Sequence, residues 1–282
     1  MSARYTCVGS GTCVPNDRRG PACHLLEAGG MRLILDLGSG SLRSLARLGE
    51  NFFDLTAVGV THRHQDHVAD LLPLLFGLRN SPGASRREPL TIFGYRGIQH
   101  DLECLAHVYG SWVLEPGFGV DVQELPPGKR LRLCGPGSTL EVQAFSVRHS
   151  PEAVAFRLQL PATFDETSAG APLPQAVFAY SGDSGVSSSL VELAAGADLF
   201  VCECAFPDGA GVEGHLTPSE LLPLSAASGA RRVVATHFYP EWDTRGVEAE
   251  WERALRRFEG DVALTPAHDG LRMDVGPPRQ RG

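Results

Sequence analysis

The sequence predicts an α/β fold. Short apolar runs rich in β-branched residues alternate with longer patterns of helical period, two of those patterns carry their own start signals, and the composition is that of an ordinary globular protein.

In chain order, the first expected strand is 31–36, a continuous apolar run closed by Asp36-Leu37-Gly38. A helix at 41–48, a strand at 57–60, a helix at 67–78, a strand at 90–93 and a helix at 98–109 follow. Strands are expected at 140–147, 154–160 and 176–180, and stretches 14–21, 80–89, 115–128 and 161–175, with their Pro, Gly and polar residues, read as loops. Ser187 opens a helix over 187–195, which precedes a strand at 199–203. The helix over 218–227 is well marked, with Thr217 as N-cap, Pro218 at the first helical position and Glu220 at the capping-box position. A strand at 232–236, a helix at 247–258 and a strand at 262–264 complete the pattern. No stretch is long or biased enough to be a linker and no repeat of fixed period is present, so residues 1–282 are expected to form a single domain.

Composition excludes several classes. With 43% hydrophobic residues the chain is not intrinsically disordered. The longest apolar candidate, 68–78, is broken by Asp70, Pro73 and Gly77 and falls short of the ~20 residues a bilayer span needs. The first eight residues carry Arg4 and no apolar core of a secretory signal, so a cytoplasmic protein without membrane contact is expected. Seven scattered cysteines, Cys202 and Cys204 among them, fit structural thiols in a reducing compartment better than a zinc knot. The formal charge of −8 argues against a dedicated nucleic-acid binder, although a local basic patch can override it. Lys129 is the only lysine.

The chemistry concentrates in Thr61-His62-Arg63-His64-Gln65-Asp66-His67, directly after an expected strand. Imidazole nitrogen and carboxylate oxygen are ligands for zinc and similar divalent ions, and clustering four such groups makes sense only with positive charge between them. In an extended segment His62 and His64 share one side, while Asp66 and His67 follow where the chain turns into a helix. Three more candidates stand at or just after expected strand ends: His149, Asp183 in Ser181-Gly182-Asp183-Ser184, and His237. α/β active sites collect at such ends.

The His-x-His-x-Asp-His spacing resembles that of the metallo-β-lactamase superfamily. The opening motifs Gly9-Ser10-Gly11-Thr12, 15–20 and Leu35-Asp36-Leu37-Gly38, together with Cys202-Glu203-Cys204-Ala205-Phe206 and His215-Leu216-Thr217, are similar to those of its ribonuclease Z-like branch. The resemblance spans nearly the whole chain. It implies an αββα sandwich, two mixed β-sheets flanked by helices, with the metal site along one edge. It further implies that His62, His64 and His149 hold one divalent ion, that Asp66, His67 and His237 hold a second, and that Asp183 bridges them. Zinc suits these ligands, as do manganese and iron. Two such ions lower the pKa of a shared water towards about 7 and so supply a hydroxide nucleophile, whose proton Asp66 accepts by the same resemblance. His215 then faces the reacting phosphate and Glu203 orients it, a pairing in which the carboxylate fixes the imidazole tautomer and favours its protonated form.

The branch's members that process transfer-RNA 3′ ends carry a long arm after the His149-type motif, whereas here only 161–175 separates two expected strands. Other basic candidates, Arg79, Arg86, Arg87 and Lys129-Arg130-Leu131-Arg132, are few. The favoured reading is therefore a phosphodiesterase for a small or single-stranded phosphodiester such as a cyclic nucleotide. The alternatives are a ribonuclease Z-type transfer-RNA 3′ endonuclease, a hydrolase of carboxylic or sulfate esters on the same bimetal site, and, last, a non-catalytic metal-loaded scaffold. Homodimers are common in this branch.

Remaining polar residues give weaker signals. Asp36 is a candidate partner of the metal loop from behind, or ordinary turn chemistry. Arg63, between two expected ligands, either reaches a substrate phosphate or points to solvent, and the second is the favoured reading. His24, His100 and His107 match no motif, the last two lying on an expected surface helix, and His268-Asp269-Gly270 reads as a hairpin turn.

Overall fold

A computed structural model of the chain describes residues 3–81, 86, 88–161 and 175–276. Among them, two seven-stranded mixed sheets pack face to face between helices, which is the αββα arrangement expected. The first sheet contains β1 (Ala3–Gly9), β2 (Cys23–Ala28), β3 (Met31–Leu37), β4 (Ala57–Val60), β5 (Leu90–Gly94), β6 (Val120–Glu124) and, at its far edge beside β1, β14 (Arg272–Val275). The second runs in spatial order β7 (Arg130–Gly135), β8 (Ser138–Ser146), β9 (Val154–Gln159), β10 (Val177–Tyr180), β11 (Leu199–Glu203), β12 (Val233–Thr236) and β13 (Leu264–Pro266).

Each sheet is antiparallel on one side and parallel on the other, the change falling at β3 in the first and β10 in the second. Central strands covered on both faces are continuously apolar, as in β4, where all four residues are buried. The core lies between the sheets, where Tyr5 meets Phe178 at 5.7 Å between ring centroids and Phe93 meets Phe156 at 5.2 Å.

Differences from the expected elements have physical causes. β1, β2, β6, β7 and β14 were not expected as strands, and β6 lies inside the expected loop 115–128. β7 and β14 expose every other position and β6 is partly exposed along its whole length, so their polar residues masked the strand pattern. The expected helix 67–78 is two helices, α2 (Gln65–Val68) and α3 (Leu71–Asn80), on either side of Asp70. That carboxylate leaves the helical course to accept hydrogen bonds from the amides of Gly40 at 3.0 Å and Leu42 at 2.9 Å, at the start of α1 (Ser41–Arg47). Helices α4 (Ile98–Tyr109), α5 (Ser188–Ala194), α6 (Pro218–Ser228) and α8 (Val247–Arg257) stand where helices are expected, and α7 (Pro240–Arg245) is additional. Thr217 and Glu220 form the reciprocal capping box at α6, and Ser187 caps α5.

His268-Asp269 is a turn but not a hairpin, because β13 and β14 belong to different sheets. Asp269 instead accepts hydrogen bonds from the Ser10 amide at 2.9 Å and the Gly20 amide at 2.7 Å, tying down the opening loop. Residues 162–174 of the expected loop 161–175, and Arg87, lie outside the described residues. No helix among the described residues is long and apolar enough to cross a membrane.

Candidate metal centre

The carboxyl ends of β3 and β4 in one sheet, and of β8, β10, β11 and β12 in the other, converge on one edge of the sandwich. β8 runs parallel to β10 because both are antiparallel to β9, so the turn that follows it opens on the same edge. His62, His64, Asp66 and His67 follow β4, His149 follows β8, Asp183 follows β10, Glu203 ends β11 and His237 follows β12. The structure brings all of these together with Asp36 and His215.

Two groups of ligand atoms face each other. In the first, His62 Nε2 lies 3.0 Å from His64 Nδ1, which lies 3.1 Å from His149 Nε2; Asp183 Oδ2 is 3.7 Å from His62 Nε2 and 3.8 Å from His149 Nε2. In the second, Asp66 Oδ2 is 3.8 Å from His67 Nε2 and 3.9 Å from His237 Nε2. Asp183 reaches this group too, with Oδ1 3.3 Å from His67 Nε2 and Oδ2 3.2 Å from His237 Nε2. Atoms about 2.0–2.2 Å from one tetrahedral ion stand roughly 3.3–3.6 Å from one another, so both spacings suit a cation.

Hydrogen bonding behind the cluster sets the imidazole tautomers. Asp36 is fully buried and can only accept: it takes the Thr61 amide at 2.7 Å, the Thr61 hydroxyl at 2.9 Å, the Tyr180 phenol at 2.6 Å and His67 Nδ1–H at 2.7 Å. Since Thr61 Oγ1 donates to Asp36, it accepts from His62 Nδ1 at 3.0 Å. His149 Nδ1 donates to the Gly214 carbonyl at 3.2 Å. In His62, His67 and His149, Nε2 is therefore the nitrogen that faces the cluster, as metal ligation requires, and on His67 a bound ion would take the place of a proton. His67 Nε2 and Asp183 Oδ1 are buried without a hydrogen-bond partner among the described residues. A divalent ion satisfies such atoms.

Charge balance agrees. Burial, reinforced by the neighbouring His67 charge, holds His62 well below the usual imidazole range and so keeps it neutral. Burial opposes the charge on His67, but Asp183 and Asp36 outweigh it and hold that group well above the usual range. Burial would raise Asp183, yet the charges of His237 and His67 pull it well below the ordinary carboxylate value. The site is built for positive charge. Asp36 and His237 are also the described non-glycine residues with left-handed backbone, at φ 57° and 63°, a conformation tolerated where surrounding contacts over-determine it.

His215 stands beside both groups, its ring centroid 5.1 Å from that of His149 and 5.8 Å from that of His237. Its Nδ1–H donates to Glu203 Oε1 at 2.9 Å. Glu203 is buried and also accepts from the amides of Ser184 at 2.8 Å, Ala205 at 3.1 Å and Leu216 at 3.2 Å, so it fixes the Asp183 loop and the His215 loop together. Burial disfavours charge on His215, but the hydrogen bond and charge of Glu203 prevail and raise its pKa.

Sequence reasoning missed Thr61 and Tyr180, whose only signal is adjacency to His62 and to the Ser-Gly-Asp turn. An open groove of about 930 Å³ lies along His64, Arg148, His149, Glu213 and His215, and a second of about 570 Å³ along Arg18, Arg47, Gln65 and Asp66. Of the basic candidates from sequence, the described ones, Arg79, Arg86, Lys129, Arg130 and Arg132, line neither groove. Arg86 spends its guanidinium on the carbonyls of Phe53, Leu55 and Pro89, Lys129 donates to the Glu124 carbonyl, and Arg130 pairs with Glu141.

Two facing mixed sheets with a His/Asp cluster at the strand ends define a metal-dependent hydrolase of the metallo-β-lactamase fold. The family model described as beta-lactamase superfamily domain matches residues 34–238, and the chain belongs to that superfamily. Among curated proteins it is similar to ribonuclease Z of Haloferax volcanii, 28% identical over 98% of this chain and 96% of the relative. Among solved structures it resembles the metallo-beta-lactamase fold protein YhfI from Bacillus subtilis, with a TM-score of 0.72 and 22% identity over 98% of this chain and 100% of that one. The short form of human tRNase Z is alike in fold, with a TM-score of 0.71 and 20% identity over 97% of this chain and 100% of that one.

Proposed function

We propose that the protein is a dinuclear metal-dependent phosphodiesterase. The observation that carries this reading is the His215–Glu203 pair set beside two ligand groups that share Asp183. His62, His64 and His149 would hold one ion, Asp66, His67 and His237 the other, and Asp183 both. Bound there, two divalent ions supply an acidified water and neutralise the nonbridging phosphoryl oxygens. The protein's own residues do the rest. Asp36 and Thr61 fix which nitrogen of His67 and His62 faces the site. Asp66 accepts the proton of the attacking water. His215, held through Nδ1 by Glu203, presents its other nitrogen to the phosphodiester, where a protonated imidazole stabilises developing charge or protonates the leaving oxygen.

The open groove beside His64 and His149, the acidic net charge and the short connection after β9 favour a small or single-stranded phosphodiester. A second reading, cleavage at the 3′ end of precursor transfer RNA, is favoured by the ribonuclease Z relative that matches almost the whole chain. Bis(p-nitrophenyl) phosphate, p-nitrophenyl acetate and a precursor transfer RNA, each assayed with and without chelator, separate these readings. Hydrolysis of the first substrate that a chelator abolishes is expected. A metal-loaded protein that cleaves the acetate but neither phosphodiester overturns the proposal.

A further inference from the structure

Arg63 lies between His62 and His64 and belongs to neither ligand group. The chain bends at Arg63, and its side chain reaches acidic groups outside the histidine cluster. Its Nε lies 3.4 Å from Asp101 Oδ2 in α4 and 3.5 Å from Glu152 Oε1, three residues beyond His149. Its guanidinium carbon lies 5.6 Å from the centroid of the Tyr95 ring, at the end of β5. Tyr95 donates its phenol to the same Asp101 oxygen at 2.6 Å, which fixes that acceptor in turn. The cation thus joins three separate segments: the metal loop after β4, the start of α4, and the loop that carries His149 from the other sheet.

We infer that Arg63 is a positioning residue that holds the His62–His64 segment and the His149 loop in register for a shared ion, a role that rests on the metal reading above. The side chain is 52% exposed, so its ion pairs add little to global stability. Their effect is geometric. Anchoring the side chain at the bend between His62 and His64 restrains that stretch of backbone, and with it the aim of the two histidines. The Glu152 pair draws the His149 loop towards the same point, alongside the backbone bond from the Val154 amide to the Thr61 carbonyl at 3.0 Å.

The test is metal binding to Arg63→Met, Arg63→Lys, Glu152→Gln and the Arg63→Met/Glu152→Gln double variant, measured with zinc against a chromogenic chelator, together with thermal melting of the metal-free proteins. Arg63→Met should bind one of two ions about 10-fold more weakly, the lower end of what outer hydrogen-bond partners of ligands contribute. Its metal-free melting temperature should stay close to wild type. Arg63→Lys should recover most of the loss, and the double variant should be no worse than the weaker single one. The inference is overturned if Arg63→Met binds both ions as wild type does and only its KM rises, which would make Arg63 a substrate contact. It is equally overturned if metal affinity falls only in proportion to a collapse of metal-free stability. A wild-type protein that binds no divalent ion would instead sink the metal reading itself, and this inference with it.

Discussion

Asp36 and His67 meet through a 2.7 Å hydrogen bond from His67 Nδ1 to Asp36 Oδ2, and through Thr61 the same carboxylate also sets the tautomer of His62. One buried side chain thereby orients a histidine in each of the two ligand groups. Asp36→Asn places an amide where His67 and Tyr180 both donate, so metal affinity should fall by roughly 10–100-fold, while Tyr180→Phe, which removes one donor only, should cost less. Competition titration with a chromogenic chelator measures both. Unchanged affinity in Asp36→Asn would show that the tautomers are set elsewhere.

Asp183 contributes oxygens to both groups, so Asp183→Ala should lose metal content and hydrolytic activity together. Elemental mass spectrometry beside a turnover assay decides the matter. A variant that kept both would remove Asp183 from its bridging role.

His215→Ala should keep near-normal metal content while turnover falls by about 10²-fold or more, the scale of one acid–base group. Loss of metal in this variant would instead make His215 a ligand.

Glu203 raises the His215 pKa, so the charged imidazole persists to higher pH than an ordinary histidine. If the charged form is the active one, activity is present at low pH and lost as pH rises through that raised value. Glu203→Gln should move this alkaline limb of the kcat profile to lower pH. A limb that stays in place would assign it to another group.

His24 is buried beside Tyr5, whose phenol lies 3.0 Å from its Nδ1, and its pKa is pushed down to about 3 by burial first and then by the charges of His67 and His237. The folded state keeps His24 neutral where the unfolded chain binds a proton. Its contribution to stability is therefore complete above about pH 6.5 and declines towards pH 3, at up to about 1.4 kcal/mol per pH unit. Urea unfolding of the metal-free protein and its His24→Gln variant from pH 4 to 7 should show their stability difference shrinking as pH falls; a constant difference contradicts the assignment.

The residues that converge at the centre were legible in the sequence because ligand chemistry admits few residue types and strand ends place them at one edge. His62, His64, Asp66 and His67 announce themselves by spacing, and Asp183 and His237 by following apolar strands. Strands such as β4 were legible for a related reason: burial on both faces leaves an unbroken apolar run, whereas β1 and β2, equally interior to the sheet, carry polar residues such as Arg4, Thr6, His24 and Glu27 that break theirs. The edge strand β7 was not legible, since its alternate positions are solvated and read as a basic patch.

What the sequence determined by itself, then, was the α/β class and a set of donor atoms suited to divalent cations. Only the tertiary structure decided which nitrogen each imidazole turns inward, that Asp70 leaves its helix to cap α1, and that Arg63 binds Asp101 and Glu152 rather than facing solvent alone. The reason is physical. A donor atom's identity is local to its residue, whereas its hydrogen-bond partner, and hence its tautomer and aim, comes from a segment that only the packing of the two sheets brings alongside.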